Sequence, residues 1–76
     1  MTGPEDVYAR VAGAAGPSGR EVVLRLLSLM VPGAAMLWLE GSEPFLDGAR
    51  PIDVLAIDGP APLLEALAAI QQGGFA

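Results

Sequence analysis

The chain has 76 residues, of which 53% are hydrophobic and 17% are charged, and its formal net charge at pH 7 is −5. A chain of this length forms one domain at most, and alone it buries only about 60–65% of the surface of the unfolded chain. Its apolar content exceeds what so small a monomer readily hides. We therefore expect a homodimer or higher oligomer, or a surface that a partner covers.

The chain has no cysteine and no histidine. Disulfides, thiolate chemistry, zinc sites of the usual ligand sets and histidine general-base catalysis are thereby excluded. Its four basic residues, all arginines, stand against nine acids. Because a phosphate backbone would repel such a chain, we expect no direct nucleic-acid binding.

The longest uncharged run, residues 26 to 39, has 14 residues and is interrupted by Pro32-Gly33. A membrane-spanning helix needs about 20 apolar residues, so we expect no membrane segment. The first ten residues are acidic and lack the basic region that opens a secretory signal. We expect a cytoplasmic protein.

The first predicted helix follows Thr2, which stands three residues before Glu5 at capping-box spacing. Apolar residues then recur at helical spacing from Val7 to Ala15, and Gly16-Pro17 ends the segment.

A second capping-box pattern, Ser18 to Glu21, opens the next predicted helix, which runs to Val31. This helix is apolar over most of its circumference, with Leu24 and Leu29 widening its apolar face. Such a helix is normally central in a core or contacts two neighbours.

Pro32-Gly33 is predicted to break the chain before a third short helix, residues 34 to 40. Around it lies a cluster of large apolar residues, namely Met30, Met36, Leu37 and Trp38. The cluster is typical of a hydrophobic core, with a partner-binding groove as the alternative.

Residues 41 to 49 are predicted to form a loop, anchored by Phe45 and Leu46. Pro51 suits the first position of a fourth helix, where its missing N–H has no consequence. Asp53 then places a negative charge against the exposed N–H groups of the first turn. Gly59 ends this helix.

The last predicted helix runs from about Pro62 to Gln72, and Gly73-Gly74 ends it, leaving Phe75-Ala76 as an apolar tail. Strand patterns are weak because no segment alternates clearly. The sequence therefore predicts an all-α fold, a compact bundle of about five short helices forming a single domain over residues 1 to 76.

No pair of residues makes a convincing active site. Asp53 and Asp58 are five positions apart and do not share a helical face. Residues 16 to 19 lack the lysine of a phosphate-binding loop. We expect no catalytic residue, no metal site, no cofactor and no enzymatic activity, so composition and pattern indicate a small acidic helical interaction domain.

An ordered set of short motifs covers residues 34 to 76. Its residues, in chain order, are Trp38-Leu39, Pro44, Leu46, Gly48, Arg50-Pro51, Asp53 and Leu55, then a leucine-rich helix and the tail Gly73, Gly74, Phe75 and Ala76. This order resembles the toxin-binding domain of the Xre/MbcA/ParS antitoxin family. No single piece is specific, but the ordered set is.

The resemblance implies an antitoxin of a type II toxin–antitoxin system that neutralises a RES-domain toxin, an enzyme that consumes NAD. In that family the C-terminal end of the antitoxin lies over or in the NAD pocket. It thus implies that residues 73 to 76 bind the toxin. The other motif residues, Trp38 to Leu55, would be mainly structural.

Two features depart from the family pattern. The residues before the match are too few and too acidic for the helix-turn-helix DNA-binding domain that many members carry, and the loop reads EGSEP where Thr-Pro-Asn-Pro is common. A function of another class therefore stays open. The chain would then be a homo-oligomeric helical scaffold or adaptor without a toxin partner.

Overall fold

The structure is a computed structural model that describes residues 1 to 73. Its α-helices are α1 (Pro4–Ala15), α2 (Arg20–Leu29), α3 (Pro32–Glu40), α4 (Pro51–Asp58) and α5 (Ala61–Gln71). Two 3₁₀ helices, Gly16–Gly19 and Pro44–Leu46, lie between them. Residues 1 to 73 contain no strand, so the all-α prediction is confirmed.

The residue that precedes α1 lies one position later in the chain than the predicted cap, Thr2. Pro4 takes the first helical position, which makes Gly3, not Thr2, the residue before the helix. The amide of Gly3 donates to Oδ2 of Asp6 over 2.8 Å. The predicted Thr2–Glu5 capping box is therefore wrong, because the position of the proline fixes where the helix begins.

The connection from α1 to α2 is a 3₁₀ helix, not a capping box. Gly16, with φ of 60°, ends α1 as predicted. The hydroxyl of Ser18 donates to the carbonyl oxygen of Ala15 over 2.7 Å, and Gly19 precedes α2. The capping box predicted at Ser18 to Glu21 is wrong, since the serine caps the preceding turn instead.

The predicted break at Pro32-Gly33 is instead the beginning of α3. Pro32 stands at the first helical position, where no intrahelical N–H is needed. Helix α2 ends at Leu29, before the predicted Val31, and Val31 is 71% exposed. Leu24 is also exposed, so the apolar face of α2 is narrower than predicted.

Every α-helix contributes to one hydrophobic core. Its fully buried side chains include Val7, Val11, Val22, Leu26, Leu39, Leu55, Leu63 and Leu67. Burying one such side chain stabilises the fold by about 1.5–3 kcal/mol. Helix α4 contacts α1, α3 and α5, and α5 also contacts α2, so the C-terminal half closes over the N-terminal helices.

Two side chains predicted to be buried are exposed. Leu37 points out of α3 and is 78% exposed, while Phe45 is 53% exposed and does not anchor the loop. Trp38 and Leu46 do pack against the core, although both keep some exposure. Within the described part of the chain, no helix has the length and apolar character to cross a membrane.

Gly19→Ala should lower the free energy of unfolding by about 1–3 kcal/mol, because the added methyl group would overlap Cγ1 of Val11. Val11 is buried and β-branched, so its side chain cannot readily move aside. Gly13→Ala is the matched control, since an added Cβ there would meet no neighbouring atom within 4 Å. It should stabilise α1 by about 0.5–1 kcal/mol. Urea denaturation followed by circular dichroism measures both, and equal effects would contradict the packing of Gly19 on Val11.

Candidate functional site

The motif residues form one continuous unit made of α3, the following loop and α4. Trp38 and Leu39 lie in the last turn of α3, and Leu46 and Gly48 lie in the loop. Pro44 begins the 3₁₀ helix of this loop. Arg50 immediately precedes α4, and Pro51, Asp53 and Leu55 lie within it. Local structure thus brings together the motif residues from Trp38 to Leu55.

Glu43 closes the loop through hydrogen bonds of its amide, its carbonyl oxygen and its carboxylate. Its amide donates to the carbonyl oxygen of Ala49 over 3.1 Å. Its own carbonyl oxygen accepts from the amides of Leu46 and Gly48, each over 2.9 Å. Its carboxylate oxygen Oε1 accepts from Nε1 of Trp38 over 3.2 Å. The loop is therefore a closed, hydrogen-bonded turn that is tied back to α3.

The tip of this loop is a two-residue turn formed by Asp47 and Gly48. Both have positive φ, 58° and 83°, and the amide of Ala49 donates to the carbonyl oxygen of Leu46 over 3.1 Å. These features match a type I′ turn, which Asp-Gly favours because both central residues need positive φ. The hydroxyl of Ser42 donates to the carbonyl oxygen of Gly48 over 2.8 Å and holds the tip.

Arg50 and Asp53 form an exposed, two-pronged pair at the start of α4. Nε of Arg50 donates to Oδ2 of Asp53 over 2.9 Å, and a terminal guanidinium nitrogen donates to Oδ1 over 3.2 Å. These hydrogen bonds and the negative charge of Asp53 raise the pKa of Arg50. Since both side chains are about half exposed (51% and 52%), the pair adds little stability.

Pro51 and Leu55 are buried, so they anchor α4 in the hydrophobic core. Asp53 lies in the first turn of α4, as predicted, but its carboxylate faces Arg50 and caps no backbone N–H group. This segment therefore begins α4 and packs it against the core, and its outer face carries the exposed Arg50–Asp53 ion pair.

Helix α5 ends at Gln71, and Gly73 then turns the chain with φ of 99°. The amide of Gly73 donates to the carbonyl oxygen of Ile70 over 3.3 Å. The other three residues of the predicted toxin-binding tail, Gly74, Phe75 and Ala76, lie outside the described residues.

An open cleft of about 260 Å³ lies between the 3₁₀ helix Pro44–Leu46, α4 and α5. Three acidic residues line it, Asp47, Asp58 and Glu65, together with Phe45, Leu46, Val54 and Pro62. Sequence reasoning counted these acids but did not group them. Helical spacing could have indicated part of the cleft, since Val54 and Asp58 are four positions apart and thus share a face of α4.

Two further features of the described residues concern metal binding and buried charge. Among residues 1 to 73 no group of three or more acidic side chains is placed to hold a metal ion. No polar or charged residue in this range is buried.

Comparison of the chain with protein-family models, with curated proteins and with solved structures found no match.

Glu43→Ala should lower the free energy of unfolding by about 1 kcal/mol, because it removes the acceptor of the half-buried indole N–H of Trp38. Glu43→Gln keeps an acceptor oxygen and should have a smaller effect. In a Trp38→Phe background, which lacks the donor, the effect of Glu43→Ala should shrink by a similar amount. Urea titrations followed by circular dichroism complete this double-mutant cycle, and strictly additive effects would show that the two side chains are not coupled.

Proposed function

We propose that this chain is the antitoxin of a type II toxin–antitoxin system and neutralises a RES-domain, NAD-consuming toxin. The observation that carries the proposal is the connected unit of α3, loop and α4, which contains all the motif residues from Trp38 to Leu55 in family order. Helix α5 follows directly and carries the chain to Gly73. The proposed inhibitor is the C-terminal tail.

The charge distribution supports a protein partner over a nucleic acid. Three of the four arginines are already paired with carboxylates in the described structure, namely Arg10 with Glu40, Arg25 with Glu21 and Arg50 with Asp53. The net charge of −5 would also repel a phosphate backbone. We therefore propose that this chain does not contact DNA directly.

The proposed mechanism is that the tail occupies the toxin's NAD pocket. Gly73 ends α5 in a left-handed conformation that glycine adopts without strain, so the chain leaves the helix axis here. A dinucleotide pocket has flat apolar walls and cationic donors for phosphates. The aromatic ring of Phe75 suits the flat apolar walls of such a pocket.

Deleting residues 73 to 76 should relieve inhibition of the toxin and leave the fold intact, because these residues follow the last helix. Phe75→Ser keeps the length of the tail and removes the ring, and should relieve inhibition in part. Deleting Met1 and Thr2, which are exposed at the other end, is the control and should leave inhibition complete. NAD turnover by the toxin measures all three.

Complete inhibition by the tail-deleted chain would refute the tail mechanism. Thermal denaturation of each variant separates this outcome from loss of the fold. A toxin that never co-purifies with the intact chain would refute the wider antitoxin proposal.

The second candidate function is a homo-oligomeric scaffold or adaptor. Large apolar side chains on the surface favour it: Val31, Leu37 and Ile57 are 71%, 78% and 81% exposed. Side chains of this kind are normally covered when they form a patch. Co-expression of the chain with any RES-domain protein whose gene neighbours its own, followed by pull-down, separates the two functions. A complex supports the antitoxin, and recovery of the chain bound only to itself supports the scaffold.

A further inference from the structure

An apolar groove of about 290 Å³ lies where α1, the 3₁₀ helix Gly16–Gly19 and the start of α2 meet. Two residues of the hydrophobic core, Val11 and Val23, line it. The others that line it are Tyr8, Ala12, Gly16, Pro17, Gly19 and Arg20. Since a cavity of roughly 150 Å³ is enough to hold benzene, the groove has room for one aromatic ring.

Arg20 gives this groove one positive charge. It is exposed, and it is the only charged residue that lines the groove in the described structure. The other three arginines form ion pairs, but Arg20 forms none within residues 1 to 73. The groove therefore combines an apolar surface with a cation that the described chain leaves unpaired, and it suits a partner that presents a ring beside a carboxylate.

The loop tip between α3 and α4 presents such a pair of groups. Phe45 is exposed although it is large and apolar, and Asp47 is exposed two positions later. Asp47 forms no ion pair within residues 1 to 73. Both residues line the same open cleft and thus lie close together, and neither lines the groove beside Arg20. Within one copy, therefore, the tip and the groove do not meet.

Hydrogen bonds hold this tip in one conformation. The amides of Leu46 and Gly48 both donate to the carbonyl oxygen of Glu43 over 2.9 Å. Asp47, between them, takes a left-handed conformation with φ of 58°. Because a segment that is already ordered loses little conformational entropy on binding, this tip is suited to insertion into a groove.

We propose that the chain associates with itself head to tail, so that Phe45 of one copy enters the groove of the next and Asp47 pairs with Arg20. The phenyl ring packs beside the ring of Tyr8, and the ion pair fixes the orientation. Because tip and groove are different surfaces, the contact is heterologous and can extend beyond two copies. One tip in one groove is a small contact, and each copy carries a net charge of −5, so we expect weak association. The proposal goes beyond the antitoxin function and does not involve residues 73 to 76.

Sedimentation velocity of the full chain at increasing concentration tests the contact. The average mass of the intact chain should rise with concentration. Phe45→Ser removes the ring and Arg20→Glu reverses the charge of the groove, so each variant alone should remain monomeric. An equimolar mixture of the two should nevertheless form a heterodimer that grows no further, because one variant keeps an intact groove and the other an intact tip. Arg20 is the first residue of α2, where a carboxylate is favourable, so Arg20→Glu should keep the fold.

The ion pair is tested separately by removing its charges. Asp47→Asn suits the positive φ of its position and should weaken association by up to about fivefold, the upper end for one exposed ion pair. Adding Arg20→Gln should weaken it no further, since the partner charge is already absent. Strictly additive effects of the two substitutions would show that these side chains do not pair, and would overturn the proposal.

Leu37→Ser is the matched control, because Leu37 is exposed and apolar and lines neither surface. It should leave association unchanged, and thermal denaturation should show that every variant is folded. A chain that is monomeric at every concentration would overturn the proposal, as would loss of association in Leu37→Ser or a mixture of the two single variants that stays monomeric. The NAD-turnover assay of the tail variants is independent of these results.

Discussion

The hydrogen bonds of Glu43 are the constraint on which the C-terminal half depends. One residue supplies an amide to Ala49, a carbonyl oxygen to Gly48 and a carboxylate to the indole of Trp38. The loop is therefore closed at its base and attached to α3. Because Pro51 follows the closed loop after a single residue and has a fixed φ, the closure also sets where α4 begins. Helix α4 in turn packs against α5, and both helices line the acidic cleft.

Much of the fold follows from local sequence signals. Pro51 at the first position of α4 and Gly59 after its end were predicted from proline and glycine chemistry alone. The end of α1 at Gly16 was predicted in the same way. The helical spacing of apolar residues from Val7 to Ala15 predicted α1, in which Val7 and Val11 are buried. These features depend on residues a few positions apart, which is why a single sequence suffices to predict them.

The errors arise where one local signal competes with another or where distant elements meet. Both capping boxes were placed wrongly, because Pro4 and the 3₁₀ helix Gly16–Gly19 shift the helix starts. Pro32 begins a helix although proline also serves as a breaker. The acidic cleft needs side chains from three elements, so spacing within any one helix indicates only part of it. The Asp47-Gly48 pair is typical of a tight turn. No local pattern, however, predicts that the Glu43 carboxylate accepts a hydrogen bond from the indole N–H of Trp38.

Amide hydrogen exchange of the native chain, followed by NMR, tests the closure of this loop most directly. The amides of Glu43 and Gly48 donate across the loop, whereas the Ser42 amide has no backbone acceptor in the described structure. After correction for intrinsic rates, the first two should exchange at least about tenfold more slowly than that of Ser42, because exchange requires the loop to open. Exchange of Glu43 and Gly48 as fast as that of Ser42 would contradict a closed loop, and with it the proposed basis for the position of α4.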